Sequence, residues 1–282
     1  MVQFETYLSD SALAPATIIN YMADLRAFLR WSAKRQGGEC SPLCLDTSDI
    51  QDFCSYLQEV KGQAPATVNR RLQTLRKFYT LATEEGWTET NPAESVPLLD
   101  EHVSKRSRSL AEEDVARLLA AVEQGRSRQV ARDLAVIQLL VGVGLKLSEL
   151  TVLRLEDVHL DASQPYLNVR DVSGDGSDRI VYLEDEVHDT LRNYLPFRRA
   201  APGVDCFCVN RDGNPLSTRS VQRLLRHYAQ AADLDGLTTQ ALRYVYARRL
   251  YEASGDVKIV AQYLGHRHLA TTIRYLRPSS DK

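Results

Sequence analysis

Apolar residues recur at helical spacing along most of the chain, and this pattern predicts a protein built mainly from helices. In the first third, apolar side chains return every three or four positions after residues 15 and 65, which is the period of one helix face. A third helix is expected between them, capped by the sequence TSD at 47–49 and running to about residue 60. Residues 1–97 are therefore expected to form an all-helical domain.

The first and last of these helices belong to an internal repeat. The sequence APAT occurs at 14–17 and again at 64–67, and the pattern LRxF follows at 25–28 and at 75–78. In each copy a proline stands at a first helical position, where its missing N–H needs no partner. The repeat therefore predicts two similar amphipathic helices, each with an arginine beside its apolar stripe.

The remainder of the chain has a mixed pattern. Residues 98–108 are polar and basic at their end, and they predict a linker to a second domain at 109–282. The capping box SLAE at 109–112 predicts a helix to residue 122, a second helix ends at GVG at 142–144, and Ser148 begins a third. Short strands at 166–169 and 179–183, joined by the turn SGDGS at 173–177, predict a hairpin.

The C-terminal part completes an expected α+β fold that is mainly α with a small β-sheet. The run VDCFCV at 204–209 is typical of a buried strand, in which Cys206 and Cys208 act as small apolar side chains. Further helices are expected at about 185–196, 218–232, 239–253, 256–264 and 269–276.

Composition excludes several classes of protein. No apolar stretch approaches the ~20 residues that cross a bilayer, and the first residues lack the order of a signal peptide. We therefore expect a cytoplasmic protein with no membrane partner. The five cysteines form no CxxC pair, which argues against a disulfide framework and a zinc site. No P-loop, HExxH or GxSxG motif occurs.

The net charge of −2 counts against a nucleic-acid-binding protein, but the charges are distributed unevenly. Basic residues cluster at 70–77, 105–108, 219–226 and 243–249, whereas acidic residues collect elsewhere, as at 184–186. A single basic cluster is more often a solvated helix face than a binding site. The clusters become informative only together with the motifs at the C-terminal end.

Two segments near that end carry a family resemblance. TTQALRYVYARRL at 238–250 and LGHRHLATTIRY at 264–275 resemble the second box of the tyrosine recombinases, the phage-integrase and Xer-like site-specific recombinases. RDLAVIQLL at 132–140 and GLKLSEL at 144–150 resemble the first box, and the N-terminal repeat resembles the helical core-binding domain. The resemblance spans almost the whole chain. It implies a two-domain clamp on duplex DNA, with a core-binding domain and an integrase-type catalytic domain.

The resemblance also implies a tyrosine that attacks a DNA phosphate and forms a covalent phosphotyrosyl link, without a metal or nucleotide cofactor. Two arginines bind the charged oxygens of the transition state by bidentate hydrogen bonds. A hairpin lysine protonates the leaving oxygen, and two histidine-like positions handle protons. Three positions match this pattern: Tyr275 is the nucleophile, Arg243 the second arginine and His266 the histidine after a glycine.

Three catalytic positions depart from the pattern. Lys146 replaces the first arginine, so the charge is kept but the planar fork is lost. Gln240 replaces a histidine and cannot transfer a proton. Asp175 replaces the hairpin lysine, and a carboxylate repels phosphate and is a poor acid at neutral pH. We therefore expect impaired strand cleavage, with Arg170 or Arg179 on the hairpin strands as alternative donors.

Three functions remain open. The chain binds recombination sites and cleaves weakly or with an active partner recombinase, or it is a competent recombinase with relocated donors, or it is a DNA-binding regulator without chemistry. Each implies double-stranded DNA as a partner, self-association on DNA, and an affinity that falls with salt because phosphate contacts dominate. The candidate backbone contacts are Arg70, Arg71, Arg76, Lys105, Arg106, Arg219 and Arg223.

Overall fold

The computed structural model describes residues 2–11, 13, 15–38, 41–100, 110–125, 129–172 and 176–276. The chain divides into two compact units, at 1–105 and 106–282. Helices dominate both units and a small sheet lies in the second, so the expected fold class is confirmed. The expected linker at 98–108 falls mostly on residues 101–109, which lie outside the described residues, and the domain boundaries stay predictions.

Helices are the only regular secondary structure in the described residues of the N-terminal unit. Its elements are α1 (Val2–Asp10), α2 (Pro15–Gln36), α3 (Thr47–Ser55), a π-helical turn (Tyr56–Val60) and α4 (Pro65–Glu84). The repeat prediction is confirmed, because α2 and α4 each begin at the proline of their copy. The apolar stripes of these two helices meet in one core, where Leu25 and Leu75 are both buried.

A polar link joins the two repeat helices inside that core. Asp24 on α2 is buried and accepts hydrogen bonds from Arg70 and from Thr74, the latter at 3.2 Å. A buried carboxylate is costly unless it is paired, and the guanidinium of Arg70 meets that need. The link therefore fixes the register of α2 against α4.

The helix at 47–55 was predicted with the wrong cap. Asp46, one residue earlier than the expected TSD segment, accepts from the N–H of Asp49 at 3.0 Å, and the Asp49 carboxylate accepts from the N–H of Asp46 at 3.2 Å. This reciprocal arrangement is a capping box with aspartate in both positions. The α-helix then ends at Ser55 and continues to residue 60 as the π-helical turn.

The C-terminal unit surrounds one buried helix. Its helices are α5 (Glu112–Glu123), α6 (Val130–Val141), α7 (Leu147–Val152), α8 (Asp185–Tyr194), α9 (Thr218–Ala231), α10 (Thr239–Ser254), α11 (Val257–Leu264) and α12 (Leu269–Leu276). Helix α6 is apolar on almost every side, and α5, α7, α8, α9 and α10 pack around it. Such an apolar helix is stable only when it is buried on all faces.

The sheet of this unit has three antiparallel strands in the order β1 (Val158–His159), β2 (Tyr166–Val169) and β3 (Arg179–Tyr182). The predicted β2–β3 hairpin is confirmed, and Leu167 pairs with Val181 on its buried face. The two-residue strand β1 was not predicted, because it is too short to show a period.

Two local predictions in the C-terminal unit were wrong. The run at 204–209 forms no strand, and only its second half, 207–209, is buried. It is held by isolated pairing and by a hydrogen bond from the N–H of Phe207 to the Leu153 carbonyl. Helix α5 begins at Glu112, and Asp114 accepts from the N–H of Ala111. Glu112 is therefore the first residue of the helix, whereas the expected capping box requires it to be the third. Ser109 lies outside the described residues.

Candidate active site

Helix α10 places Arg243 at the centre of the candidate site. The Arg243 side chain is buried, and its two terminal nitrogens donate to the carbonyls of Gly144 and Leu264. Burial lowers the pKa of Arg243 below its usual value, whereas Glu149 and the Tyr275 hydroxyl oppose that shift. The Nε atom is buried and has no hydrogen-bond partner among the described residues. Arg243 is therefore a fixed, charged donor whose hydrogen-bonding capacity is not exhausted.

His266 and Tyr275 lie beside this guanidinium. The Nε2 atom of His266 is 3.3 Å from the nearer terminal nitrogen of Arg243, and its Nδ1 is 3.0 Å from the hydroxyl of Thr272. The Tyr275 ring centre is 4.8 Å from that of His266 and 6.0 Å from the guanidinium carbon of Arg243. The structure thus brings the three matching positions into one cluster.

A left-handed turn at Gly265 makes this convergence possible. Gly265 ends α11 with φ of 67°, and a side chain there would lie 2.8 Å from a terminal nitrogen of Arg179. Only glycine adopts this backbone conformation without strain and leaves the required space. The chain then reverses, which directs His266 toward Arg243 and lets α12 return with Tyr275.

Glu149 and Arg179 form a buried ion pair behind the cluster, which the sequence did not reveal. Both terminal nitrogens of Arg179 donate to the carboxylate of Glu149 at 2.9 Å, and its Nε donates to the Tyr263 carbonyl at 2.6 Å. The same carboxylate accepts from the N–H of Lys146 at 2.7 Å and lies 3.8 Å from Arg243. Glu149 therefore links α7, β3 and α10 around the site.

Arg170 and Arg179 were the two alternative donors expected on the hairpin strands. Arg179 is committed to Glu149, as described, and Arg170 donates to the carboxylates of Glu156 and Asp157 at 2.9 and 2.6 Å. In the described part of the chain, neither guanidinium makes a hydrogen bond with Arg243 or Tyr275. The structure therefore gives no support to a donor relocated to either strand.

Lys146 lies next to the hairpin turn. Its ammonium nitrogen is 3.4 Å from a carboxylate oxygen of Asp171 and 3.0 Å from the position that a Cβ on Gly176 would occupy. Asp175, which stands at the family's lysine position in this turn, lies outside the described residues. Lys146, which was expected at the position of the family's first arginine, thus reaches the turn in which Asp175 was expected to replace the family's lysine.

Arg267 is a second cation at the same turn, and the sequence gave no reason to select it. Its Nε donates to the carbonyl of Gly176 at 2.8 Å, and the residue is otherwise exposed. It follows His266 directly, so the backbone that positions the histidine also positions this arginine. Adjacency to a matched motif residue is the one signal that could have indicated it.

Gln240 and Tyr244 form a hydrogen-bonded pair beside Tyr275. The amide nitrogen of Gln240 donates to the Tyr244 hydroxyl at 2.8 Å, and the Tyr244 ring packs edge-on against Tyr275 with centres 4.4 Å apart. Burial raises the pKa of the Tyr244 hydroxyl, Tyr275 adds to the rise, and Gln240 opposes it. Gln240 is therefore linked to Tyr275 through Tyr244.

The basic residues proposed for DNA backbone contacts in the N-terminal unit are largely engaged within it. Arg70 pairs with Asp24 but stays about half exposed, at 45%. Arg71 is less exposed and lies 3.5 Å from the same carboxylate. Arg76 donates to the carbonyls of Ala93 and Val96, so its guanidinium fixes the segment after α4. Lys105 and Arg106 lie outside the described residues.

Helix α9 presents a different picture, because its outer face is basic and unpaired. Arg219 and Arg223 are exposed one turn apart, and Arg226 continues the same face. The helix contains no acidic residue, and none of these arginines makes an ion pair within the described residues. This face is the clearest candidate for contacts to phosphate groups.

No helix in the described ranges has the length and hydropathy to cross a bilayer. The same residues contain no group of three or more histidine, cysteine, aspartate or glutamate side chains that could hold a metal ion.

Comparison with known proteins gives the fold and site a context. A helical first unit, followed by a unit with a small sheet and a clustered arginine, histidine and tyrosine, defines an integrase-type protein of two domains. The model of the phage integrase family matches residues 108–282, and that of the phage integrase N-terminal SAM-like domain matches residues 1–86. The chain therefore belongs to the phage integrase family.

Similar proteins cover nearly the whole chain. The tyrosine recombinase XerA of Thermococcus kodakarensis is 30% identical over 99% of this chain and 93% of its own length. The tyrosine recombinase XerC of Neisseria meningitidis is 29% identical over 99% of this chain and 91% of its own length. Among solved structures, a lambda integrase dimer bound to a COC′ core site has a TM-score of 0.76 at 21% identity, covering 99% and 95% of the two chains. At that identity the likeness supports the fold.

Proposed function

We propose that this chain is a site-specific DNA-binding protein of the tyrosine recombinase family, and that its cleavage of DNA strands is impaired. The observation that carries the proposal is the cluster of Arg243, His266 and Tyr275, in which a cation and an imidazole flank a tyrosine. One phosphate of double-stranded DNA binds in this cluster. The relatives named above as tyrosine recombinases support recombination as the process.

The reaction follows from the positions of these groups. The Tyr275 hydroxyl loses its proton as its oxygen bonds to the phosphorus, and the bond from phosphorus to the bridging leaving oxygen breaks. That leaving oxygen takes up a proton, so the net change moves one proton from the tyrosine to the end of the cleaved strand. Arg243 and His266 bind the non-bridging oxygens, where negative charge accumulates in the transition state. Rejoining reverses the same steps, with the free hydroxyl of a DNA strand as the attacking group.

Impairment follows from the three departures. Losing a positioned proton donor costs ~10²–10⁴ in rate, and losing one charge-stabilising donor costs ~10²–10³. Asp175 replaces the proton donor, Gln240 cannot transfer a proton, and Lys146 keeps the charge without the planar fork, although such losses do not simply multiply. An active partner recombinase would supply the missing efficiency on shared DNA, and the lambda integrase dimer and tetramer on DNA support self-association as well.

A nicked duplex that traps covalent protein–DNA product tests this proposal. Slow trapping that disappears in Tyr275→Phe, or trapping that needs an added partner recombinase, supports an impaired recombinase. Rapid trapping by the chain alone contradicts impairment. If no product is trapped under any condition and the chain gives a sharp footprint on one site, the result supports a DNA-binding regulator that does not cleave DNA.

A competent recombinase is the second candidate, and the placement of Lys146 favours it. Its ammonium reaches the hairpin turn beside Gly176, where the family carries its lysine, and Arg267 adds a second cation there. An ammonium can donate a proton to a leaving oxygen, which a carboxylate cannot do when ionised. In this candidate Lys146 serves both as the cation at the position of the family's first arginine and as the proton donor of the hairpin.

Restoring the family residues separates the two candidates. We expect the triple change Lys146→Arg, Gln240→His and Asp175→Lys to increase covalent product at least tenfold, because it returns a planar donor and two proton-handling groups. The measurement is the rate of covalent product formation on the nicked duplex.

Lys146→Met tests whether Lys146 is the proton donor. If Lys146 is the proton donor, this change alone abolishes cleavage, and a duplex with sulfur as the leaving atom restores it because a thiolate leaves without a proton. An unaltered rate in the triple variant contradicts the account of impairment.

DNA affinity should depend on the basic face of α9. We expect the double change Arg219→Ala and Arg223→Ala to reduce the slope of log affinity against log salt by about 2, since each phosphate contact contributes about 0.9. Affinities at several salt concentrations measure this slope. Arg192→Ala on α8 is the control, because that exposed arginine already pairs with Asp161 at 2.9 Å. An unchanged slope in the double variant would exclude α9 from the interface.

A further inference from the structure

A cleft of about 620 Å³ opens in the N-terminal unit between α2, the π-helical turn and α4. Aromatic side chains, among them Trp31 and Tyr56, and basic side chains, among them Arg30, Lys34 and Lys61, line it together. No carboxylate lines the cleft among the described residues. Cavities of this size are those that proteins use for small ligands.

The charges around the cleft are only partly compensated. Arg35 pairs with Asp52, and Arg71 lies 3.5 Å from Asp24. Arg30, Lys34 and Lys61 are exposed and make no ion pair with any described residue. Three free cations on one concave surface produce a positive potential, which concentrates an anionic ligand.

Two of the cations lie over aromatic rings. The guanidinium carbon of Arg35 is 5.4 Å from the ring centre of Trp31, and the Lys61 nitrogen is 5.6 Å from that of Tyr56. Proteins that bind single bases stack them on aromatic rings and on arginine guanidinium planes. The cleft offers both kinds of surface next to the cations that would bind a phosphate.

One buried polar atom that lines the cleft lacks a hydrogen-bond partner among the described residues. It is the side-chain oxygen of Gln63, whereas the buried Nε of Arg71 is the atom that lies 3.5 Å from Asp24. An unpaired buried polar atom is unfavourable in the free protein, so a ligand that pairs it gains affinity. That ligand must donate a hydrogen bond to the Gln63 oxygen. A nucleotide does so through its sugar hydroxyls or base amino groups.

The π-helical turn that borders the cleft has an unusual backbone hydrogen bond. In the π-helical turn the N–H of Lys61 donates to the carbonyl of Tyr56, five residues earlier, at 3.0 Å. Short π-helical segments are rare and occur frequently at functional sites. This turn directs Tyr56 and Leu57 into the cleft.

We propose that this cleft binds a nucleotide, either a free nucleotide or an unpaired one within DNA. The proposal goes beyond strand cleavage and does not depend on it, because none of the cluster at Arg243 takes part. Free nucleotides and unpaired DNA nucleotides share the same base, sugar and phosphate, so both fit the same side chains.

Calorimetric titration of the full chain tests the proposal, with the monophosphates of adenosine, guanosine, cytidine and uridine and with inorganic phosphate. We expect at least one nucleotide to bind tenfold or more tightly than phosphate. Lys61→Ala and Gln63→Leu should each weaken that binding roughly tenfold, a difference of about 1.4 kcal/mol. Arg26→Ala is the control, since Arg26 is exposed on the same helix and does not line the cleft. Thermal unfolding of each variant verifies that the fold is intact.

Competition identifies the source of the nucleotide. Displacement by a duplex with a single-nucleotide bulge, but not by the same duplex fully paired, supports an unpaired nucleotide in DNA. Binding of the mononucleotide without such displacement supports the free nucleotide. The proposal is wrong if neither the mononucleotides nor the bulged duplex bind. It is also wrong if phosphate binds as tightly as the nucleotides, or if the Lys61 and Gln63 variants bind like the Arg26 variant.

Discussion

Arg243→Ala is expected to reduce covalent product on a nicked duplex by ~10²–10³, the cost of removing one donor to a charged transition state. The guanidinium is buried, fixed by two backbone carbonyls and in contact with both His266 and Tyr275, so no other described side chain can replace it. If cleavage is too slow to measure, the loss appears in binding. The variant then no longer distinguishes a normal duplex from one with a neutral methylphosphonate at the cleavage site.

Arg249→Ala is the matched control for this prediction. Arg249 lies on the same helix, but its guanidinium pairs with the half-exposed carboxylate of Glu112 and has no contact with the cluster. We expect cleavage and binding close to wild type. Arg243→Lys separates chemistry from folding, because it keeps the charge and loses the fork. Equal effects of Arg243→Ala and Arg249→Ala would contradict the proposal that Arg243 binds the phosphate.

Glu149→Gln is expected to lower the free energy of unfolding of the C-terminal unit by about 3–5 kcal/mol, the usual cost of removing one partner from a buried ion pair. The variant has almost the same volume, so the loss reflects charge and hydrogen bonding. Arg179 would remain buried at 9% exposure without its carboxylate, and Arg243 would lose its nearest anion. Urea unfolding, followed by a probe in this unit, measures the change.

Glu156→Gln is the corresponding control. Glu156 also pairs with arginines, Arg154 and Arg170, but its side chain is 61% exposed. Ion pairs in water contribute little, because the Coulomb attraction is screened and the side chains lose freedom. We expect no measurable shift of the unfolding midpoint. A shift as large as that of Glu149→Gln would mean that burial does not set the strength of the Glu149–Arg179 pair.

The long amphipathic helices were predictable because their signals are local. Proline at the first position located α2 and α4, and the helices expected at 218–232 and 239–253 agree with α9 and α10 to within one residue at each end. The run at 204–209 misled the prediction because apolar character reports burial, whereas a strand also needs a neighbour to pair with. The cap at Asp46 was missed because several residues in a row there are good caps.

Sequence motifs predicted only part of the candidate site. Arg243, His266 and Tyr275 stand in a recognisable order, and their convergence could be expected from it. Glu149 and Arg179 are thirty positions apart along the chain, and no local pattern marks such a pair. Arg76 was selected for DNA by its charge, yet it donates to carbonyls within its own unit. Charge alone does not distinguish a surface cation from an internal donor.

Helices α10, α11 and α12 of one chain hold Arg243, His266 and Tyr275 together. The proposed nucleophile and the proposed phosphate-binding groups therefore belong to the same chain, and we expect that a copy without the tyrosine is not complemented by a copy without the arginine. If the proposed cleavage takes place in a mixed assembly on DNA, the number of opened strands equals the number of intact copies, whatever their order around the duplex.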